Sequence, residues 1–102
     1  MGLSEGLWTD SSLQIQFVFA LFSMLIAWFL KFTQTEWMIL LICIGFVIGL
    51  EFMNSAFEQM LDRFDPTYHV LTKRAKDLGA AAVLVASIIS LVIGIMLVSN
   101  HI

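Results

Sequence analysis

Polar residues along this chain are confined to a few short segments, and three long apolar runs separate them. The first run extends from about Ile15 to Phe32, the second from Trp37 to about Phe57, and the third from Leu78 to about Val98. Coiled as helices at about 1.5 Å per residue, each covers the roughly 30 Å of hydrocarbon in a bilayer. The pattern predicts an all-α membrane protein with three transmembrane helices, forming a single unit over residues 1–102. Thr33-Gln34-Thr35-Glu36 alone separates the first two runs, which predicts a tight hairpin. A longer polar segment, about Gln59 to Asp77, separates the second from the third. Asp65-Pro66 inside it is expected to end the second helix, because proline lacks the N–H donor and the residue before it avoids helical geometry. The first run does not read as a secretory signal, since its flank is acidic at Glu5 and Asp10 and no small-residue cleavage pattern follows.

Composition agrees. Of 102 residues, 60% are hydrophobic and 13% charged, and the mean hydropathy is +0.94. Soluble domains carry about a quarter charged residues, and one this small cannot bury so much apolar surface. The net charge of −3 includes no basic tract, which argues against a nucleic-acid partner. Cys43 is the single cysteine and lies within an apolar run, so it reads as a small filler and not as part of a disulfide or thiolate metal site.

The charges that are present have a direction. Arg63, Lys73, Arg74 and Lys76 place four of the five basic residues in the 59–77 segment. By the positive-inside rule that segment and the N-terminus face the cytoplasm, with the short hairpin and Asn100-His101-Ile102 outside. Small residues are also ordered. Gly45 and Gly49 form a GxxxG pair, and Ala82, Ala86, Ser90 and Gly94 recur every four residues on one face of the third run. Such faces let helix backbones approach, within one chain or between copies, and an oligomer is the expectation.

The chemistry lies at the end of the second run. Glu51, Asn54, Glu58 and Asp62 follow one another at intervals of three, four and four, which places them in one polar stripe on a helix. A charged residue at mid-bilayer costs about 2.5–3.5 kcal/mol on insertion scales. Glu51 and Asn54 nevertheless fall within the apolar stretch, and intramembrane ionisable groups face a bundle interior or a wet cavity. The stripe is either an interhelical hydrogen-bond clamp or a cation site, and its hard oxygens suit Mg²⁺. Lys76, beside the membrane and opposite the stripe, can hold a phosphate or can serve as a snorkelling anchor. No G-x-x-x-x-G-K-[ST] loop occurs, so a nucleotide bound here is not held by a P-loop. His69 alone reads as a surface histidine, and Asp10 either joins the carboxylates or is a hydrophilic flank.

Glu51-Phe-Met-Asn54-Ser-Ala-Phe-Glu58, Asp62-Arg63, Tyr68-His69 and Lys73-Arg-Ala-Lys76-Asp77-Leu-Gly-Ala-Ala-Ala-Val-Leu84 resemble the small prokaryotic lipid kinases, the diacylglycerol kinases and their undecaprenol kinase relatives. The resemblance runs from about Gly6 to Val98. It implies a homotrimer in the bacterial inner membrane, with sites at the cytoplasmic interface, that transfers the γ-phosphoryl group of ATP with Mg²⁺ to a lipid hydroxyl. By position, Glu51 falls on the family's general base and Asn54 on the amide beside it. Glu58 and Asp10 fall on metal ligands that also serve the nucleotide, and Tyr68, His69, Lys76 and Asp77 fall on nucleotide contacts. Glu51 and Ala80 fall on substrate contacts. The chain departs from the family at Leu13-Gln14, where a Phe-Arg pair is usual, and in lacking a counterpart of the amphipathic surface helix within the dozen residues before the first run. Asn54-Ser-Ala and Lys73–Gly79 look like the diacylglycerol branch, the expected substrate class. Glu36-Trp37 looks like the undecaprenol branch, the alternative. A small cation or proton channel and a catalytically silent membrane protein are the readings outside enzymology.

The charge bias makes the topology testable. A cysteine placed near Tyr68, in a Cys43-free background, is expected to react with an impermeant maleimide only from the cytoplasmic side, and one at Thr35 only from outside. The opposite labelling pattern inverts the topology and puts Glu58 out of reach of cellular ATP.

Overall fold

A computed structural model describes residues 11–64 and 70–102, with side chains described from Leu13 onward within those ranges. Three helices form the described chain: α1 (Ser11–Phe29), α2 (Gln34–Phe64) and α3 (Val70–Ser99). Helix α2 packs against both others and more extensively against α3. The molecule is a rod, 52 × 26 × 17 Å. Most large apolar side chains face outward, among them Phe22, Trp28, Ile42 and Leu91. That is the arrangement expected when lipid, not water, surrounds the rod.

Helices α2 and α3 are long and apolar enough to cross a membrane. The apolar part of α1 is shorter, Leu13–Phe29. The first run therefore ends as helix three residues before the expected limit at Phe32, because the chain turns there. Larger differences appear at the polar segment. Of the residues expected as a 59–77 loop, α2 continues to Phe64 and α3 begins at Val70. Helices of 31 and 30 residues are about 45 Å long, well beyond the hydrocarbon thickness. Hydropathy marks where the bilayer ends, whereas these helices continue for about two further turns. The last described residue of α2 directly precedes Asp65-Pro66, where the break is expected; residues 65–69 lie outside the described chain.

The α1–α2 turn is built from two capping motifs. Lys31 adopts φ 60, and its N–H donates to the Trp28 carbonyl at 3.2 Å while that of Phe32 donates to Ala27 at 3.0 Å. This pair of bonds satisfies carbonyls that the end of α1 leaves without partners, with a lysine in the left-handed position glycine usually takes. Thr33 then caps α2. Its Oγ1 accepts from the Glu36 N–H at 3.2 Å, and Glu36 Oε1 accepts from the Thr33 N–H at 2.9 Å. This reciprocal arrangement is a capping box. The main apolar cluster forms directly beneath the turn, where Ala27, Phe32, Leu40 and Leu97 are buried and Trp37 packs against them.

His101, past the end of α3, reaches back to the same turn. Its Nε2 lies 2.8 and 2.9 Å from the two Glu36 carboxylate oxygens, and its ring stacks on Phe32 with centroids 5.1 Å apart. The Thr33 N–H and then the His101 side chain hold the Glu36 carboxyl below its ordinary value of 4.5. A carboxyl whose pKa falls on folding stabilises the fold above its unfolded value, and that contribution is lost as pH falls through the lowered one. Glu36→Gln is therefore expected to lower the melting temperature near neutral pH. The deficit should shrink as pH falls below 4.5. Parallel melting curves for the two proteins across that range, in the same detergent, would show that the clasp contributes nothing.

Candidate functional site

The polar stripe of α2 lies at the end of the rod opposite this turn. Glu51, Asn54, Glu58 and Asp62 span twelve residues, about three helical turns and about 16 Å. Their environment changes steadily along that length. Glu51 is buried, at 7% exposure; Asn54 and Glu58 are half-buried; Asp62 is mostly open. The gradient follows from the helix leaving the apolar part of the rod while keeping one face toward α3. Helix α1 closes the side near Glu51, where Phe17 meets Phe52 edge-on at 6.5 Å and Leu13 is fully buried.

Asn54 is the best-defined member. Its Nδ2 donates to Glu58 Oε1 at 3.3 Å, which ties the amide to the carboxylate one turn on. Its Oδ1 is buried without a hydrogen-bond partner. That oxygen rests over Gly79 of α3, and a Cβ at residue 79 would collide with it and come within 3.4 Å of Cγ. The missing side chain at residue 79 is therefore what lets the Asn54 amide lie between the helices.

Helix α3 supplies the opposing face. Thr72, Lys76, Gly79, Val83 and Ala86 recur at three- and four-residue intervals, and Thr72, Val83 and Ala86 are buried. Lys76 Nζ forms an ion pair with Asp62 across the two helices, with Lys76 largely covered and Asp62 exposed. The structure thus gathers Glu51, Asn54, Glu58 and Lys76 of the expected residues onto the α2–α3 seam. Asp77 and Ala80 lie beside that seam on the exposed flank of α3. Asp10, Tyr68 and His69 fall outside the described residues. Gly79 and Thr72 were given no role by the sequence. A glycine at three residues from Lys76 on a helix was the available signal for the first; none distinguished Thr72.

Among the described residues no group of three or more His, Cys, Asp or Glu side chains comes together to hold a metal. The seam nevertheless offers a hard oxygen donor in the Glu58 carboxylate, while Asn54 turns its amide nitrogen toward that carboxylate and its Oδ1 onto Gly79. One carboxylate fits Mg²⁺, which needs only one or two from the protein when phosphates and water complete its shell. A separate cavity of about 620 Å³ lies between α1 and α3, floored by α2. It is lined mainly by apolar side chains, with Gln16, Ser23, Cys43 and Ser90 among them, and includes none of the stripe residues. Gly45 and Gly49 of the GxxxG pair are exposed, with open space where a Cβ would be, so none of the three described helices packs on them.

The prokaryotic diacylglycerol kinase family profile matches residues 1–98. The undecaprenol kinase of Bacillus subtilis (strain 168) is 36% identical over 97 residues, covering 91% of this chain and 79% of that protein. The diacylglycerol kinase of Escherichia coli (strain K12) is 32% identical over 100 residues, covering 98% and 82%. That of Haemophilus influenzae is 31% identical over 85 residues, covering 83% and 72%.

The Asn54–Gly79 contact sets the sign of a substitution. In an open helix Gly→Ala gains roughly 0.5–1 kcal/mol. Here the methyl group meets the Asn54 amide, and overpacking of this kind costs about 1–3 kcal/mol. Gly79→Ala is expected to lower stability and to shift the Asn54 side-chain amide resonance. A protein as stable as wild type with that resonance unmoved would show that the seam has room to spare.

Proposed function

The chain belongs to the prokaryotic diacylglycerol kinase family and is a lipid kinase, and on that premise we propose that it phosphorylates diacylglycerol from ATP at the cytoplasmic face of the bacterial inner membrane. The observation that carries the reading is the gradient along α2, from a buried carboxylate at Glu51 to an open one at Asp62. A lipid hydroxyl arrives from the bilayer and a nucleotide from water, so a site joining them needs both environments on one helix face.

In the proposed reaction the lipid hydroxyl oxygen forms a bond to the γ-phosphorus as the bond from that phosphorus to the leaving ADP oxygen breaks. Glu51 accepts the hydroxyl proton. Asn54, fixed between Glu58 and Gly79, keeps the α2–α3 seam in register beside the base. Glu58, with Asp10, would hold Mg²⁺, and the metal neutralises phosphate charge when bound. Lys76, with Tyr68, His69 and Asp77, would contact the nucleotide, and Ala80 leaves space for the lipid. Phosphoryl transfer asks mainly for positioning and charge neutralisation, which carboxylates, an amide and a lysine supply.

The proposed assembly is a homotrimer of three-span protomers. It is supported by the exposed Gly45–Gly49 pair, which has no neighbour among the described residues, and by the apolar stretch of α1, long enough to cross a thin bilayer. Undecaprenol is the second reading for the substrate, favoured by the 36% identity to the Bacillus subtilis undecaprenol kinase.

The test is transfer of radiolabel from [γ-³²P]ATP to diacylglycerol and to undecaprenol in mixed micelles, by wild type and Glu51→Gln. Label is expected in diacylglycerol. Undecaprenol labelled in its place selects the second reading, and label in neither removes both substrate readings. Glu51→Gln keeps size and hydrogen bonding but cannot accept the proton. Turnover is expected to fall by about 10²–10⁴. Mg·ATP affinity should change little, because Glu58 lies about two turns away. Near-full turnover in a folded variant would exclude Glu51 as the base.

A further inference from the structure

Asp62 takes no part in the reaction above, yet it holds the residue assigned to the nucleotide. The two ends of the ion pair are unequally placed, with side-chain exposures of 19% for Lys76 and 63% for Asp62. A pair open to water on one side shifts an equilibrium only a few-fold. A nucleotide triphosphate carries several negative charges and many acceptor oxygens, so it outcompetes one exposed carboxylate for an ammonium group. Lysine also suits exchange between partners, being a compact charge on a flexible four-carbon stem.

The surrounding geometry places a second partner nearby. Lys76 lies one turn before Gly79 on the same face of α3, and Gly79 packs against Asn54, which in turn binds Glu58. Asp62 is one turn beyond Glu58, and such neighbours on a helix have Cβ atoms about 5–6 Å apart. The Lys76 ammonium is thus drawn one turn outward, toward water and away from the Asn54–Glu58 pair. We propose that Asp62 is a positioning residue that holds Lys76 while no nucleotide is bound and yields it to a nucleotide phosphate, so that Asp62 limits nucleotide affinity. This rests on the nucleotide reading of Lys76 given above. Two effects act in the same direction: the carboxylate occupies the lysine, and its charge repels the phosphates.

The test uses the full chain in diacylglycerol mixed micelles, with KM and kcat measured against Mg·ATP, together with equilibrium binding of a fluorescent non-hydrolysable ATP analogue in Mg²⁺. Asp62→Asn is expected to lower KM and the analogue Kd by about two- to fivefold, the range an exposed pair supplies. The change in kcat should be smaller, and Asp62→Glu should restore KM. Lys76→Met should weaken analogue binding, and adding Asp62→Asn to it should produce a smaller change than in wild type, the part due to charge repulsion alone. A raised or unaltered Kd in Asp62→Asn overturns the exchange, as does an effect of full size in the Lys76→Met background, where the carboxylate would act as a bare charge. Analogue binding unaffected by Lys76→Met overturns the nucleotide reading of Lys76 and the exchange with it. The binding measurement decides the matter even where a variant has lost turnover.

Discussion

A polar side chain on a membrane-crossing helix has no water to bind, so its hydrogen-bonding groups must find partners on neighbouring helices. The α2 stripe meets most of that constraint by facing α3 along its length, with Asn54 Oδ1 the exception. Asn54 is bound by Glu58 and covered by Gly79, Asp62 is bound by Lys76, and Glu51 is withdrawn from the surface. The rest of the structure follows from keeping those two helices in one register. Small or polar residues appear on α3 where the stripe presses against it, at Thr72 and Gly79, and branched apolar ones return at Val83 once it has passed.

The two ends of the rod solve different problems. At the turn between α1 and α2, capping motifs, an apolar cluster and the His101–Glu36 contact are local and mutually supporting. At the other end, among the described residues, Leu13, Val83 and Ala86 are buried, and single polar pairs join α2 to α3. A site that must admit both a lipid and a soluble phosphoryl donor cannot be filled by side chains of its own chain.

Much of this was legible in the sequence. The apolar runs located the helices, and the three- and four-residue spacing from Glu51 to Asp62 gave a single face. Helix ends were less legible, because the six residues from Gln59 to Phe64 and those from Val70 to Asp77 are polar on average and still helical; hydropathy measures the bilayer and not the hydrogen-bonded turn. Thr33 and Glu36 carried a capping-box spacing that reads equally well as a loop until the flanking helices are known. Gly79 and the partner of Lys76 could not have been read. Both depend on which turn of α3 lies opposite Asn54 and Asp62, and no periodicity within one helix encodes the axial offset between two.

The length of α2 has a consequence of its own. From Glu51 to Asp62 the backbone rises about 16 Å as one uninterrupted helix, so that distance is fixed by the peptide geometry and not by packing. Helix α2 works as a ruler between an apolar depth and an aqueous one. Its marks also share an azimuth, and each added or removed residue would turn everything beyond it by about 100°. Side chains between the marks can vary, because most of them face lipid. The number of residues between them cannot, since a one-residue change would carry Glu58 and Asp62 off the seam while Glu51 stayed on it.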